Sequence, residues 1–448
     1  MGDDRGVTER LAAFVTEARF GDLPAQVVHQ AKRSLLNFFA AAFTGCRHRS
    51  VETARALLAD FSGGRAATLI GRRERIDAPA AAFLNAAGAN VLDFCDTHVP
   101  TAIHPTAPVV PALLSLAELA PVNGRELLLA LVLGQEVECR IGISMSPSHY
   151  NRGWHITSTC GVFGAAAGSG KLIGLDRTRM AWALGGAATQ AAGLCECLGT
   201  PAKSLGVGNA ARNGLLAALL AARDFSGPQD ALAGPQGYFH ALAETVEPSA
   251  LSDNLGRSFE IMHTAYKPYP CGFVLHAVLD CVLDWRRENA KAEVTKVEVI
   301  GNPLLALRAD RPHVSTGSQS QVSVQHAVAA AIVTGRAGVE QFSDACVNDP
   351  AVAALRAQIE VTRDASLATT AAVVKIATAD GKVHALSQRA ARGSDANPMS
   401  DRDLEDKLRM AAEGFFARGA VADLIDAIWR VDESTDASRL AALTVPAG

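Results

Sequence analysis

The sequence predicts a mainly α protein with an α+β part: a large all-helical domain built from both chain ends, and a smaller α+β domain inserted between them. Alanine-rich stretches with apolar residues at helical spacing fill the first half of the 448 residues and return near the end. Alternating valines, including Val297 and Val299, follow residue 268 and are typical of strands. We therefore predict a helical domain of residues 1–267 and 396–448, and an inserted domain of residues 268–395.

Local signals predict the helices of the helical domain. Thr8 is suited to cap a first helix, and Pro24 suits the first turn of a longer helix that runs to Thr44 and is followed by Gly45. Further helices are predicted at residues 77–90, 111–120, 126–145, 177–198, 209–223 and 401–429, and one more within residues 153–174. Because alanine and glycine are frequent on these helices, their backbones can approach closely, and we expect a compact bundle.

The inserted domain shows strand patterns between helical stretches. Strands are predicted at residues 291–303, 358–362 and 372–378, and helices at residues 271–287 and 321–334. Asp380-Gly381 separates the third strand from a fourth at residues 382–386, which is a strong hairpin signal.

Composition limits the classes of partner. The net charge of -4 gives no sign of the basic surface that nucleic-acid binding requires. The nine cysteines show no CxxC spacing and indicate free thiols in a reducing compartment. The charged start of the chain lacks the apolar core of a signal peptide, and the apolar run at residues 180–195 is too short to span a membrane. We expect a cytoplasmic protein with neither nucleic acid nor membrane as a partner.

One stretch concentrates titratable side chains. Residues 91–111 contain three prolines before Pro111, which break the backbone, so the stretch is predicted to form a long loop between two helices. Binding and catalytic groups are often placed on such loops. Its polar side chains of interest are Asp93, Asp96, Thr97, His98 and His104.

Four other spots could supply chemistry. His155 precedes a glycine-rich helix, and Lys203 is predicted to lie in a Gly/Pro-bounded loop. Lys267 lies at the domain boundary ahead of His276, and His326 lies on a helix of the inserted domain. Each also has a structural interpretation: a single histidine beside an apolar helix is more often a hydrogen-bonded structural group, and a single lysine is usually solvated. The aspartates of the loop could equally cap a helix or hold a turn.

No familiar cofactor or metal motif is present. His98, His104 and the two aspartates match no metal-ligand spacing, and the sequence contains neither HExxH nor CxxC. The run from Gly164 to Lys171 resembles a phosphate-binding loop, but it is one residue too long and Leu172 replaces the required Ser or Thr. We predict no metal and no cofactor.

Histidine, aspartate and lysine without those motifs suit proton abstraction next to a carboxylate. The dianionic intermediate of such a reaction needs preorganised cations, which lysines would supply. A histidine is the natural acid or base near neutral pH.

Several blocks of sequence carry a resemblance over nearly the whole chain. They are Leu23-Pro24 to Leu36; Asp93-Phe94-Cys95-Asp96-Thr97; His104-Pro105-Thr106; Gly153-Trp154-His155 to Leu175; Lys203 with Gly208 to Gly214; Lys267-Pro268-Tyr269-Pro270-Cys271 with His276; and Gly393 to Pro398 with Lys407. In this order they resemble the MmgE/PrpD family, which includes 2-methylcitrate dehydratases, cis-aconitate decarboxylase and iminodisuccinate epimerase.

The resemblance implies a homodimer whose subunits have an all-helical domain and a smaller α+β lid, and no cofactor in most members. It also implies a pocket, whose lining in the decarboxylase branch corresponds here to Asp93, Thr97, His104, His155, Lys203 and Lys267.

Two positions depart from the family pattern. Cys95 replaces one carboxylate of the family's D-D-T block, and His326 stands where the decarboxylase branch has a tyrosine. The blocks around His155 and Asn213 are closer to the epimerase-like members. These differences leave the substrate open.

The resulting hypothesis is a cofactor-independent lyase that dehydrates a small di- or tricarboxylate such as 2-methylcitrate. The predicted catalytic residues are His104, His155, Asp93, Lys203 and Lys267, and the predicted substrate-binding residues are Thr97, His276 and His326. Epimerisation of an iminodisuccinate-like acid and decarboxylation of a cis-aconitate-like acid remain alternatives. Outside this class stand a non-catalytic carboxylate-binding dimer and a metal-assisted hydratase.

Overall fold

Residues 6–416 and 420–446 are described by the structure, a computed structural model. They form mostly helices with a few small sheets, which confirms the predicted mainly α class with an α+β part. Residues 1–5 of the charged N-terminal stretch, residues 417–419 within the predicted helix 401–429, and residues 447–448 lie outside the described residues.

The first part of the chain is helical, and several helices begin at capping side chains. The carboxylate of Asp77 accepts the backbone N–H of Ala80 at the start of α4. The first helix starts at Val7 instead of behind a Thr8 cap, because the Thr8 hydroxyl donates to Asp230. These helices are α1 (Val7–Glu17), α2 (Ala25–Gly45), α3 (Arg49–Ala59), α4 (Ala78–Asn90), α5 (Thr106–Ala117), α6 (Gly124–Met145), α7 (Ser148–Asn151), α8 (Ile156–Leu172), α9 (Arg177–Ala188), α10 (Ala202–Ala221) and α11 (Tyr238–Leu242).

Two short antiparallel ribbons accompany these helices. Strand β1 (Ala67–Thr68) pairs with β2 (Arg75–Ile76), and β3 (Asp96–His98) pairs with β4 (Thr264–Tyr266). The second ribbon places Asp96 opposite Tyr266, so two segments that are distant in sequence lie side by side.

The predicted loop at residues 91–111 is shorter than expected. Helix α5 begins at Thr106 and includes Pro108 and Pro111. A proline in the first turn removes only an N–H that has no helical partner, so Pro108 does not delay the helix. Pro111 is tolerated inside a helix whose residues are all buried, because tertiary packing outweighs its low helix propensity.

Residues 276–388 combine a four-stranded sheet with helices. Parallel pairing joins β5 (Val294–Gly301) to β6 (Ile359–Arg363), and antiparallel pairing joins β5 to β7 (Ala372–Thr378) and β7 to β8 (Val383–Gln388), in the order β6-β5-β7-β8. Gly381, with a φ of 84°, lies in the predicted turn between β7 and β8. The helices are α12 (His276–Glu288), α13 (Pro303–Ala309), α14 (Gly317–Ser320), α15 (Val324–Thr334), α16 (Asp344–Val347) and α17 (Pro350–Arg356).

The apolar cores separate along the same division. Buried residues between positions 271 and 391, including Val297, Val299 and Val374 of the sheet, form a cluster of their own. Another cluster joins Leu35 and Phe39 of α2 to residues near the C-terminus. The start and the end of the chain therefore share one core.

The last segment consists of α18 (Asp401–Ala411), α19 (Ala420–Trp429) and α20 (Arg439–Ala442). Leu404 and Leu408 of α18 pack into the core of α2. The prediction of one helical stretch over 401–429 is wrong, because α18 ends at Ala411 and is followed by Gly414, whose φ of 83° does not continue a helix.

Small residues allow helices to cross at short distance. A Cβ atom added to Gly45 of α2 would lie 2.0 Å from the carbonyl oxygen of Gly88 of α4. A Cβ atom added to Gly88 would lie 3.4 Å from its nearest neighbour, the Cα atom of Cys46. One partner of this crossing must therefore be glycine, whereas the other has room for a methyl group.

Within the described residues, no helix combines the length and the apolar character that crossing a membrane requires.

The unequal space at Gly45 and Gly88 in the α2–α4 crossing predicts that Gly45→Ala destabilises the protein. Gly88→Ala, its matched control, should not. The methyl group at position 45 has to displace backbone, and such overpacking typically costs about 1–3 kcal/mol. Denaturant unfolding of the two variants beside wild type measures the difference. Equal stability of both variants would show that the α2–α4 crossing adapts freely.

Candidate active site

The carboxylate of Asp93 is shared by two lysines, the buried Lys267 and the partly buried Lys203. Its Oδ1 accepts from Lys203 Nζ, and its Oδ2 accepts from Lys267 Nζ at 2.9 Å. Lys267 Nζ also donates to the backbone oxygen of Asp93 at 3.2 Å. Burial alone would raise the pKa of Asp93, but Lys203, Lys267 and His104 hold that pKa well below its ordinary value. Asp93 is therefore an ionised carboxylate inside the protein.

Three separate elements bring these side chains together. Asp93 follows α4 with a φ of 51°, a left-handed conformation that aspartate tolerates better than most residues. Lys203 lies in the first turn of α10, not in a loop as predicted. Lys267 directly follows β4, whose pairing with β3 carries it to Asp93.

Lys407 of α18 ties two of these segments together. Its Nζ donates to the backbone oxygens of Phe94 and Lys267 at 2.7 and 2.8 Å, and to Asn37 Oδ1 at 2.7 Å. Three acceptors match the three N–H donors of an ammonium group. Burial lowers the pKa of Lys407 to about 7. Lys407 thus fixes the backbone at Phe94, next to Asp93, and at Lys267.

His104 lies beside Asp93 with a defined tautomer. Its Nδ1 is 2.6 Å from the backbone oxygen of Asp96, and since a carbonyl can only accept, Nδ1 carries the proton. Its Nε2 is 3.5 Å from Asp93 Oδ1. Burial, Lys267 and Lys203 lower the pKa of His104 well below its ordinary value. His104 is thus a neutral imidazole whose Nε2 can accept a proton.

His155 is the second neutral histidine, at the position preceding α8. Its Nδ1 is 2.7 Å from the hydroxyl oxygen of Ser158. Burial, and after it the charge of Lys203, lowers the pKa of His155 to about 3. Added Cβ atoms on Gly193 and Gly206 would each lie 2.5 Å from Ser158 atoms, so these glycines make room for the pair.

A cavity of about 110 Å³ collects these groups. It contains six of the eight predicted site residues: Asp93, Thr97, His104, His155, Lys203 and Lys267. The complete lining consists of Asp93, Thr97, Ala102, His104, Tyr150, His155, Leu198, Gly199, Lys203, Lys267, Gly272, Phe273, Val274, Arg308, Ala309, Gln321 and Val322.

The structure places His276 and His326 outside this lining. His276 is buried with its Nε2 3.3 Å from the backbone oxygen of Cys271, and His326 is buried with its Nε2 2.7 Å from that of Gln341. Cys95 also lies outside the lining, and burial raises the pKa of its thiol to about 11. Both departures from the family pattern are therefore away from the cavity.

Arg308 and Tyr150 line the cavity although the sequence did not single them out. Arg308 Cζ lies 3.6 Å from the centroid of the Tyr150 ring. The two residues belong to α13 and α7. Because the contact joins elements far apart in sequence, no local motif marks it.

Among the residues that the structure describes, no three side chains of His, Cys, Asp or Glu are grouped so that they could hold a metal ion. A larger cavity of about 790 Å³ lies beside α9 and α10. Its described lining is mostly apolar and contains no lysine, arginine or histidine. The smaller cavity is the candidate active site.

Comparison with known proteins gives two family matches. Residues 9–250 match the family model described as the MmgE/PrpD N-terminal domain, and residues 269–433 match the MmgE/PrpD C-terminal domain. The chain is 26% identical to cis-aconitate decarboxylase of Homo sapiens, over 98% of this chain and 94% of the relative. It is also 26% identical to the Mus musculus protein of that name, over 98% and 93%, and 27% identical to that of Aspergillus terreus, over 76% and 74%.

We predict that Asp93→Asn strongly destabilises the fold. Asparagine suits the left-handed φ of this position, so the main change is loss of the negative charge between Lys203 and Lys267. Removing one partner of a buried ion pair typically costs about 3–5 kcal/mol. Asp380→Asn breaks an exposed pair with Lys382 and should leave denaturant unfolding unchanged. An Asp93→Asn variant as stable as this control would contradict the shared-carboxylate interpretation.

His155 predicts a specific pH dependence of stability. The pKa of His155 is about 3 in the folded protein and about 6.5 in an unfolded chain. As the pH falls below about 6.5 the unfolded state binds the proton first, so the folded state loses about 1.4 kcal/mol per pH unit.

The His155→Gln variant lacks this titration and retains a hydrogen-bonding side chain for Ser158. The unfolding free energy of wild type minus that of the variant should therefore decrease as the pH is lowered from about 6 to about 4. Replacing the exposed His313 by Gln serves as the control. A difference that does not vary with pH would show that His155 titrates normally.

Proposed function

The chain belongs to the MmgE/PrpD family, and from this premise we propose that it is a cofactor-independent lyase acting on a small di- or tricarboxylate. The observation that carries the proposal is the Asp93 carboxylate shared by Lys203 and Lys267, beside the neutral His104. Its relatives compared above are named as enzymes that act on a tricarboxylic acid.

The two lysines would stabilise the negative charge of the reaction. Chemistry at the carbon next to a carboxylate sends electrons into that carboxylate and forms an enediolate. Lys203 and Lys267 are both held in place by Asp93, so they would stabilise this charge without rearranging. A carboxylate of the substrate would share their N–H donors with Asp93.

The two histidines would move the proton. His104 presents an unprotonated Nε2 toward Asp93 and the cavity, as a general base requires. His155, held through Ser158, would serve as the partner acid or base from the start of α8. Thr97 lines the same cavity and would donate a hydrogen bond to the substrate.

Among the reactions that this arrangement allows, decarboxylation of a cis-aconitate-like acid has the best support. The two relatives whose alignments cover 98% of this chain are named for this reaction. His326, which counted against it, lies outside the cavity lining. In this reaction the bond between the departing carboxylate and its carbon breaks, and the electron pair of that bond forms a new double bond. The pair of the old double bond moves to the carbon next to a retained carboxylate, which holds it as an enediolate. That carbon then takes a proton, which His104 or His155 would relay from solvent.

Dehydration of a 2-methylcitrate-like acid, which the sequence predicts first, and epimerisation of an iminodisuccinate-like acid stay predictions. Both would start with proton abstraction by the same histidines. We also keep the homodimer as a proposal, to be checked by light scattering of the purified protein.

The proposal predicts that wild-type protein, with no added cofactor, releases CO₂ from cis-aconitate. Incubation of the protein with cis-aconitate, 2-methylcitrate and iminodisuccinate in D₂O, followed by NMR, separates CO₂ loss, water loss and deuterium uptake. His104→Gln and His155→Gln should each lower the rate by about 10²- to 10⁴-fold, as expected for loss of a general acid or base. His313→Gln, on the surface, is the matched control.

Water loss from 2-methylcitrate without CO₂ release from cis-aconitate would establish dehydration instead. Binding of these acids without any turnover or deuterium uptake would indicate a carboxylate-binding protein. Loss of activity on chelation, together with stoichiometric metal, would indicate a metal-assisted enzyme.

A further inference from the structure

Arg308 differs from the other cations of the cavity in having no acidic partner. Lys203 and Lys267 both pair with Asp93. Across residues 6–416 and 420–446, the Arg308 guanidinium forms neither a hydrogen bond nor an ion pair, and it packs over the ring of Tyr150. A half-buried guanidinium with unused donors is poised to bind an anion.

The contact with Tyr150 leaves the donors of Arg308 usable. The guanidinium is planar, and its five N–H groups point outward in that plane. A ring at 3.6 Å from Cζ supports the group through cation–π attraction and does not consume an N–H. The edge of the guanidinium remains available for the two parallel bonds with which arginine binds a carboxylate.

The position of Arg308 separates it from the lysines. Arg308 belongs to α13 of the inserted domain, whereas Lys203 belongs to α10 and Lys267 follows β4. All three line one cavity whose single acidic side chain, among the described residues, is Asp93. A small acid with two or more carboxylates would therefore contact cations on two sides of this cavity.

We propose that Arg308 is a specificity-determining residue, which binds the substrate carboxylate that Lys203 and Lys267 do not hold and so selects tricarboxylates over dicarboxylates of the same length. Tyr150 positions the guanidinium for this contact. The inference rests on the proposed function of the cavity and adds the group that distinguishes among its acids.

Binding of two unreactive acids tests the proposal. Tricarballylate and glutarate share a five-carbon chain, and glutarate lacks the middle carboxylate. Isothermal titration of the wild-type protein should show tighter binding of tricarballylate. Arg308→Met should weaken tricarballylate binding by about 100-fold and glutarate binding far less, because truncating one partner of a buried charge pair has an effect of this size.

Further variants separate positioning from charge. Arg308→Lys should recover only part of the tricarballylate affinity, because an ammonium group cannot make two parallel bonds. Tyr150→Phe keeps the ring and should preserve the selectivity, whereas Tyr150→Leu should reduce it. Arg336→Met, which removes an exposed arginine of the inserted domain, should bind both acids as wild type does.

Wild-type tricarballylate affinity in a folded Arg308→Met protein would overturn the inference and leave the proposed function standing. Equal loss for both acids would reduce Arg308 to general attraction of anions and would also overturn it. If the wild-type protein binds neither acid, both the proposed function and this inference fail.

Discussion

The candidate site depends on one buried carboxylate, that of Asp93, which makes it possible for two ammonium groups to lie side by side inside the protein. Lys203 and Lys267 would repel each other and lose their hydration without this anion between them. Burial, together with the positive charge of Lys203, keeps His104 and His155 neutral, and Lys267 adds to this effect at His104. The arrangement therefore separates two tasks: lysines stabilise negative charge, and uncharged imidazoles exchange protons.

The sequence predicts the elements whose signals are local. Asp77 starts a helix, the alternation of Val297 and Val299 marks a strand, and Asp380-Gly381 forms a hairpin turn. The errors occur where tertiary packing outweighs a local signal. The sequence predicts a loop that ends at Pro111, yet Pro111 lies inside α5, because a helix buried on every side is stabilised by its neighbours.

Six predicted site residues line the cavity. They could be predicted because they lie in recognisable blocks of sequence. The remaining residues need a different explanation. The ring of His326 hydrogen-bonds to the backbone oxygen of Gln341, and the residue is not part of the cavity lining. Arg308 could not have been found in this way, because its role arises from the meeting of α13 with Tyr150 of α7. Contacts between distant elements leave no periodic pattern that a reader of the sequence could detect.

The contacts of Lys407 also affect how the chain folds during its synthesis. It lies 140 positions after Lys267 and 313 after Phe94, whose carbonyls it binds. The helix that carries it also covers the apolar face of α2, near the start of the chain. During translation, α2, Asp93 and both site lysines leave the ribosome well before the segment that fastens them. The nascent chain therefore cannot complete this site until the segment with Lys407 has emerged, and the apolar face of α2 remains accessible to chaperones until then.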